Sequence, residues 1–217
     1  MDRTLTLINL GRTDYNQCLT LQRDIQKQRV KGSIENTLLI TEHNPVFTLG
    51  RNHPTPNLKV STGQIEAEGI PIVQTERGGD ITYHGPGQLV AYGIIALREW
   101  GLSAYAYIDA LEEIMIRSLK TWGLTGERKQ KMTRGVWVDT KKIGSVGISI
   151  KRGVTMHGAS LNVAPEMIHF SLMNPCGFEN LEITSVQKEC AASYDFSEAA
   201  KVFAKEFKEF FDAKITN

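Results

Sequence analysis

Apolar residues along the 217-residue chain fall into short alternating or continuous blocks, interrupted by three stretches in which they recur every three or four positions. Thr4 to Leu10 reads as a strand. Thr13 or Asp14 then caps a helix over residues 14–30 carrying Leu19, Leu21, Ile25 and Val30. Thr37 to Thr41 and Val46 to Leu49 are short strands broken by Asn44-Pro45, and Gly50 to Gly63 reads as loop. Pro71 to Thr75 and Leu89 to Leu97 are further strands, separated by a glycine-rich segment from Arg77 to Gly87.

Ser103 precedes the second helical stretch, where Ile108, Leu111, Met115, Leu119 and Trp122 share a face and Gly123 offers a carboxyl cap. Val136-Trp137-Val138 and Ile143 to Ile150 flank the polar turn Asp139-Thr140-Lys141 as a hairpin, and Val154 to Val163 supplies another strand. A short helix follows Pro165. The last helix, capped by Ser197, buries Val202, Phe203, Phe207, Phe210 and Phe211 and exposes Lys201, Lys205, Glu206, Lys208 and Glu209. Strand-rich blocks punctuated by three helices, with no repeat or linker, predict an α+β fold with mixed sheets flanked by helices, in one domain spanning residues 1–217.

Composition narrows the function classes. With 41% hydrophobic and 23% charged residues the chain is long enough to bury a core. It contains no run of roughly 20 apolar residues, and its amino terminus lacks a secretory pattern, so a cytoplasmic protein is expected, with no membrane span. Cys18, Cys176 and Cys190 form no C-x-x-C pair, and the five histidines show no H-x-x-x-H spacing, so neither a disulfide framework nor a metal site is expected. The formal net charge of +1 gives no reason to expect nucleic acid as a partner. Between Arg128 and Arg152, however, lie Arg128, Lys129, Lys131, Arg134, Lys141, Lys142, Lys151 and Arg152, with Asp139 the lone acid. That segment is either a steering surface for an acidic protein or the solvated face of a sheet.

Chemistry concentrates in a few segments. Arg77-Gly78-Gly79-Asp80-Ile81-Thr82-Tyr83-His84-Gly85-Pro86-Gly87-Gln88 combines four glycines with an arginine and a histidine, a composition suited to a cleft wall but compatible with a tight surface turn. No G-x-x-x-x-G-K-[ST] occurs, Val90 replaces the third glycine of a dinucleotide fingerprint, and G-x-S-x-G is absent. Nucleotide cofactors and a serine nucleophile are therefore not expected. Cys18 reads as a small core residue, whereas Cys176, between Pro175 and Gly177, sits in a non-periodic stretch suited to an exposed thiol. A cysteine nucleophile needs a partner for its proton. Lys142 opens an otherwise apolar strand, where burial would depress its pKa, although a lysine at a hairpin edge is ordinarily solvated.

Together R77-G-G-D-I-T-Y-H-G-P-G-Q-L-V90, K142-I-G-S-V-G147, R152-G-V-T-M-H-G-A-S-L-N-V163 and N174-P-C-G177 followed by T184-S185 resemble the lipoyl (octanoyl) transferase family over nearly the whole chain. One departure is Gly93 after Tyr92, where many members have proline. The resemblance implies a fold similar to the catalytic domain of biotin and lipoate protein ligases, with no cofactor. It makes Cys176 the acyl-thioester nucleophile and Lys142 the residue that tunes its proton affinity. It places the acyl group among Arg77, Gly78, Gly79, Asp80, Ile81, Thr82, Tyr83 and His84, with Ser145, Val146 and Gly147, and with Gly158, Ala159 and Ser160.

The implied reaction moves an octanoyl group from acyl carrier protein to Cys176, and from there to a lysine on lipoyl domains of 2-oxoacid dehydrogenases or on the glycine cleavage H protein. A monomer is expected, since no heptad seam is visible. The competing readings are an ATP-dependent lipoate or biotin ligase, which needs no nucleophilic cysteine, and a non-catalytic module that binds carrier or lipoyl domains.

Overall fold

The computed structural model describes residues 3–51, 57–129, 133–174, 178, 181–192 and 195–216. The alternating amino-terminal block forms β1 (Arg3–Thr13), after which the Asp14 side chain accepts from the Gln17 amide at 3.0 Å and starts α1 (Tyr15–Val30). β2 (Asn36–His43) and β3 (Val46–Leu49) lead to α2 (Thr62–Ala67), β4 (Ile72–Gln74), β5 (Ile81–His84) and β6 (Gln88–Ile94). Ser103 caps α3 (Ala104–Thr121), which precedes β7 (Gly135–Val138), β8 (Lys141–Lys151) and β9 (Val154–Asn162). A 3₁₀ turn (Ile168–Leu172), α4 (Val186–Cys190), α5 (Phe196–Phe211) and β10 (Ala213–Thr216) complete the order.

The fold is α+β with mixed sheets. Seven strands run in the order β10-β1-β2-β6-β9-β8-β7, parallel between β10, β1 and β2 and antiparallel from β2 onward. A second sheet, β4-β3-β5, pairs β3 parallel to β4 and antiparallel to β5. One cluster of buried side chains joins the large sheet to α3 and α5, with Phe203, Phe207 and Phe211 beside Trp100 and Leu111. A smaller cluster joins Cys18 and Ile25 of α1 to Leu39, Val90 and Tyr92. Cys18 thus has the core position expected for it.

Several expectations need correction. Residues 81–84 of the glycine-rich segment form β5, because Ile81 and Tyr83 alternate into an apolar cluster with Phe47 and Phe170. Asp195, not Ser197, occupies the amino-terminal cap of α5, and Ser197 lies in the first turn. Within the expected loop, Ser61 and Gln64 close a reciprocal capping box that starts α2. Leu21 is on the exposed side of α1. α4 and β10 lie outside the elements that the sequence pattern predicts.

Candidate active site

The predicted site residues converge because β6, β9 and β8 are neighbours in the large sheet. Register pairs Val90 with Ser160 and Ser160 with Ser145, and likewise Tyr92 with Gly158 and Gly158 with Gly147. Directly paired residues share a face, so these rows floor a cavity of about 410 Å³, a size suited to a small ligand. Arg77, Gly78, Gly79, Asp80, Ile81, Thr82 and His84 line it, as do Val146 and Ala159. Tyr83 does not. Alternation along β5 turns its ring away from the face of Thr82 and His84, to lie 5.2 Å from Phe47 and 4.9 Å from His169.

The glycine-rich segment is stitched to the sheets by its own backbone and by Arg77. The Gly78 amide donates to Ile148 O at 3.0 Å, while Arg77 donates to Thr48 O at 2.6 Å and to Gly78 O at 3.1 Å. The Gly78 N–H is therefore engaged across the sheet edge and does not point into the cavity. Asn57 donates to the Asp80 carboxylate.

Lys142 also lines the cavity and is 2% exposed. Its Nζ donates to Thr133 Oγ1 at 2.6 Å and lies 5.1 Å from the centre of the Trp137 ring. The solvated alternative weighed from sequence is thus excluded. Its backbone pairs with the segment after Cys176: Lys142 N donates to Glu182 O at 2.8 Å, and Thr184 N donates to Lys142 O at 2.9 Å. Pro175, Cys176 and Gly177 lie outside the described residues. On either side of them, Met173 and Ile183 line the same cavity as Lys142.

A buried relay that sequence reasoning missed connects the motifs. Gln88 Oε1 accepts from His84 Nδ1 at 2.6 Å, Gln88 Nε2 donates to Asn162 Oδ1 at 2.9 Å, and Asn162 Nδ2 donates to Thr184 O at 2.9 Å. The chain of bonds runs from the glycine-rich segment to the strand of Lys142, and satisfies four buried polar residues that would otherwise destabilise the core. All four were present in the quoted motifs. What the sequence lacked was any local spacing that would pair them.

The far end of the cavity is lined by Tyr15, Tyr92, His84 and His157. Burial pushes His84 down to about 3, helped by nearby His43, and pushes His43 and His157 down to about 4. His157 holds a left-handed φ of +60° inside β9, and its amide donates out of the sheet to Gln22 Oε1 at 3.1 Å. The following Gly158 has room for no side chain, since a Cβ there would sit 2.1 Å from Ala91 O. Backbone strain of this kind clusters at functional sites.

Residues 14–208 match the lipoyl protein ligase A/B catalytic domain. The chain belongs to that family. A relative from Syntrophobacter fumaroxidans named octanoyltransferase is 42% identical over 98% of this chain and 92% of its own length. Another octanoyltransferase, from Alkaliphilus metalliredigens, is 38% identical over 97% of each chain. Among solved structures, the bipartite lipoate protein ligase of Thermoplasma acidophilum aligns with a TM-score of 0.76 at 17% identity, covering 100% of this chain and 86% of that one. Biotin protein ligase from Aquifex aeolicus aligns at 0.56 and 13% identity, covering 97% and 71%. The fold of this family member is thus that of the lipoate and biotin protein ligase catalytic domains.

The basic segment of this lipoyl protein ligase family member is largely neutralised in place. Arg128 and Arg134 pair with Glu112, Lys129 with Glu127, and Lys141 with Glu189. Lys131 lies outside the described residues. Lys151 and Arg152 instead line a second groove with Arg23, Lys27, Lys31 and Arg51. Among the described residues no group of three or more His, Cys, Asp or Glu side chains is placed to hold a metal ion, and no helix is long and apolar enough to cross a membrane.

Proposed function

We propose that this chain is an octanoyltransferase that carries the acyl group on Cys176 and passes it to a lysine of a lipoyl domain. The observation that supports this reading best is the buried Lys142 amine in the wall of a cavity bordered by residues from both flanks of Cys176. The relatives named octanoyltransferase supply the acyl group, and the resemblance of the sequence motifs supplies the thioester route.

In the first step the Cys176 thiolate adds to the thioester carbonyl of octanoyl-acyl carrier protein and expels the carrier thiolate, which takes up a proton. One thioester is exchanged for another, so no ATP is consumed. In the second step the neutral acceptor amine adds to the acyl-enzyme carbonyl, loses a proton, and expels the Cys176 thiolate as the amide forms. Lys142 takes the thiol proton first and the amine proton second, which requires an amine held close and sheltered from bulk water. Ile81, Val146, Ile148 and Ala159 on the cavity wall give the alkyl chain an apolar bed. The lipoyl domains of 2-oxoacid dehydrogenases and the glycine cleavage H protein are the proposed acceptors. The same reading treats residues 1–217 as one domain, acting as a monomer in the cytosol.

Intact-protein mass spectrometry after incubation with octanoyl-acyl carrier protein, without ATP, tests this reading. Wild type is expected to gain a hydroxylamine-sensitive octanoyl adduct, and Cys176→Ser to gain none. An adduct of equal yield in Cys176→Ser would overturn the nucleophile, and acceptor modification that appears only with ATP would favour the ligase alternative.

A further inference from the structure

Glu112 is the one buried charged side chain of α3. It is 2% exposed, on a helix whose other buried positions are almost all apolar. Burial drives its carboxyl upward, while the Gly135 amide and two arginines oppose that shift. Its Oε1 accepts from Gly135 N at 2.7 Å, and its Oε2 lies 3.1 Å from Arg134 Nη2 and 3.3 Å from Arg128 Nε. Arg134 also reaches Asp109. A buried carboxylate that accepts a backbone amide and forms ion pairs with two guanidinium groups, without hydrogen bonds to them, ties α3 to the chain that carries them.

That chain carries Thr133. Its hydroxyl is the acceptor for Lys142 Nζ at 2.6 Å and lines the cavity beside it. Gly135 lets the clamped strand press against the lysine stem: it adopts φ +148°, and a Cβ there would sit 2.2 Å from Gly144 O and 2.7 Å from Lys142 Cε. Trp137, paired with Lys142 in register, closes the side with its ring. A four-carbon side chain with many rotamers is thereby held at its stem, its flank and its tip.

We infer that Thr133 is a positioning residue for Lys142, and that Glu112 fixes Thr133 by clamping residues 134–135. The inference rests on the assignment of proton transfer to Lys142. The Nζ–Thr133 Oγ1 hydrogen bond fixes the direction of the amine at the cavity wall, so that its orientation is set before substrate arrives.

Thr133→Val removes the acceptor at nearly constant volume, Thr133→Ser restores it, and Glu112→Gln keeps an oxygen for the Gly135 amide while removing the charge that holds the arginines. In octanoyl transfer from acyl carrier protein, Thr133→Val is expected to lower kcat by about tenfold with little change in KM. Glu112→Gln should act in the same direction, and Thr133→Ser should stay within about twofold of wild type. In parallel, labelling of Lys142 by an amine-reactive anhydride, followed across pH by peptide mass spectrometry, reports the amine without requiring turnover. Thr133→Val should lower the pH midpoint of labelling by about half a unit or more, since loss of the acceptor disfavours the charged amine. An unchanged midpoint in Thr133→Val would refute the positioning role whether or not wild type transfers octanoate. Absence of transfer by wild type, with a shifted midpoint, would instead count against the proposed reaction and leave the contact supported.

Discussion

Acidification is expected to unfold this protein through its buried histidines before most of its carboxylates titrate. His43 and His84 have rings 5.9 Å apart, and both are buried. His43 Nδ1 lies 3.1 Å from Thr13 Oγ1 and 3.3 Å from Thr13 O, and its Nε2 lies 2.7 Å from the Tyr92 hydroxyl. His84 Nδ1 donates to Gln88 Oε1. Burial, not these bonds, keeps each ring neutral near pH 7. Desolvation takes His43 from 6.5 to about 4, and desolvation followed by the His43 charge takes His84 from 6.5 to about 3.

Because both folded values lie below the unfolded one, the unfolded chain binds more protons. The stabilisation is complete above pH 6.5 and is lost as pH falls toward 4. At about 1.4 kcal/mol per pH unit for each histidine, the pair removes about 5 kcal/mol between pH 7 and pH 4.5. That is comparable with the roughly 5–15 kcal/mol that holds an ordinary domain together. Urea unfolding at pH 7, 6, 5 and 4.5 should show a steep fall in midpoint. His43→Asn and His84→Asn should each reduce that slope by about a third, because buried His157 titrates over the same range, whatever their effect at pH 7. A midpoint flat to pH 4.5, or a slope unchanged in both variants, would refute the reasoning.

Two further outcomes follow from close approaches and surface charge. Gly158→Ala places a methyl 2.1 Å from Ala91 O, so β9 and β6 must separate, at a cost of about 2 kcal/mol or more in thermal unfolding. A variant within about 0.5 kcal/mol of wild type would show that the strands yield freely. The pair Lys151→Glu and Arg152→Glu reverses charge in the second groove and should raise KM for an acidic acyl carrier protein, with the effect shrinking as salt increases. An octanoyl thioester of a small thiol should be unaffected, and an equal loss with both donors would point to damage at the cavity.

The long periodic elements were legible because their side chains repeat against one surface. α3 shows this most directly, with Leu111, Met115 and Leu119 all buried where the spacing put them. Short elements were not legible. β5 lies inside a glycine-rich segment whose composition reads as loop, and α4 and β10 are each too brief to show a period. The motif groups Tyr83 with Thr82 and His84, yet strand alternation sends its ring to the opposite face, into the cluster that Ile81 shares. The neutralisation of Arg128 and Arg134 was equally invisible, because Glu112 and Glu113 belong to a helix that precedes them by a turn of chain with no fixed geometry in sequence.

By itself the sequence determined which residue types were available and in what order: the helical faces, the alternating strands, the glycine-rich segment, and the motif residues that relate the chain to its family. Tertiary structure alone decided which of them meet. Side-by-side pairing of β6, β9 and β8 is a long-range event, so it made a floor from Val90, Ser160 and Ser145 that no local spacing encodes. Burial is likewise a property of the packed chain, and it converted Lys142 from an ordinary strand-edge lysine into an amine held by Thr133 and Trp137 against a cavity.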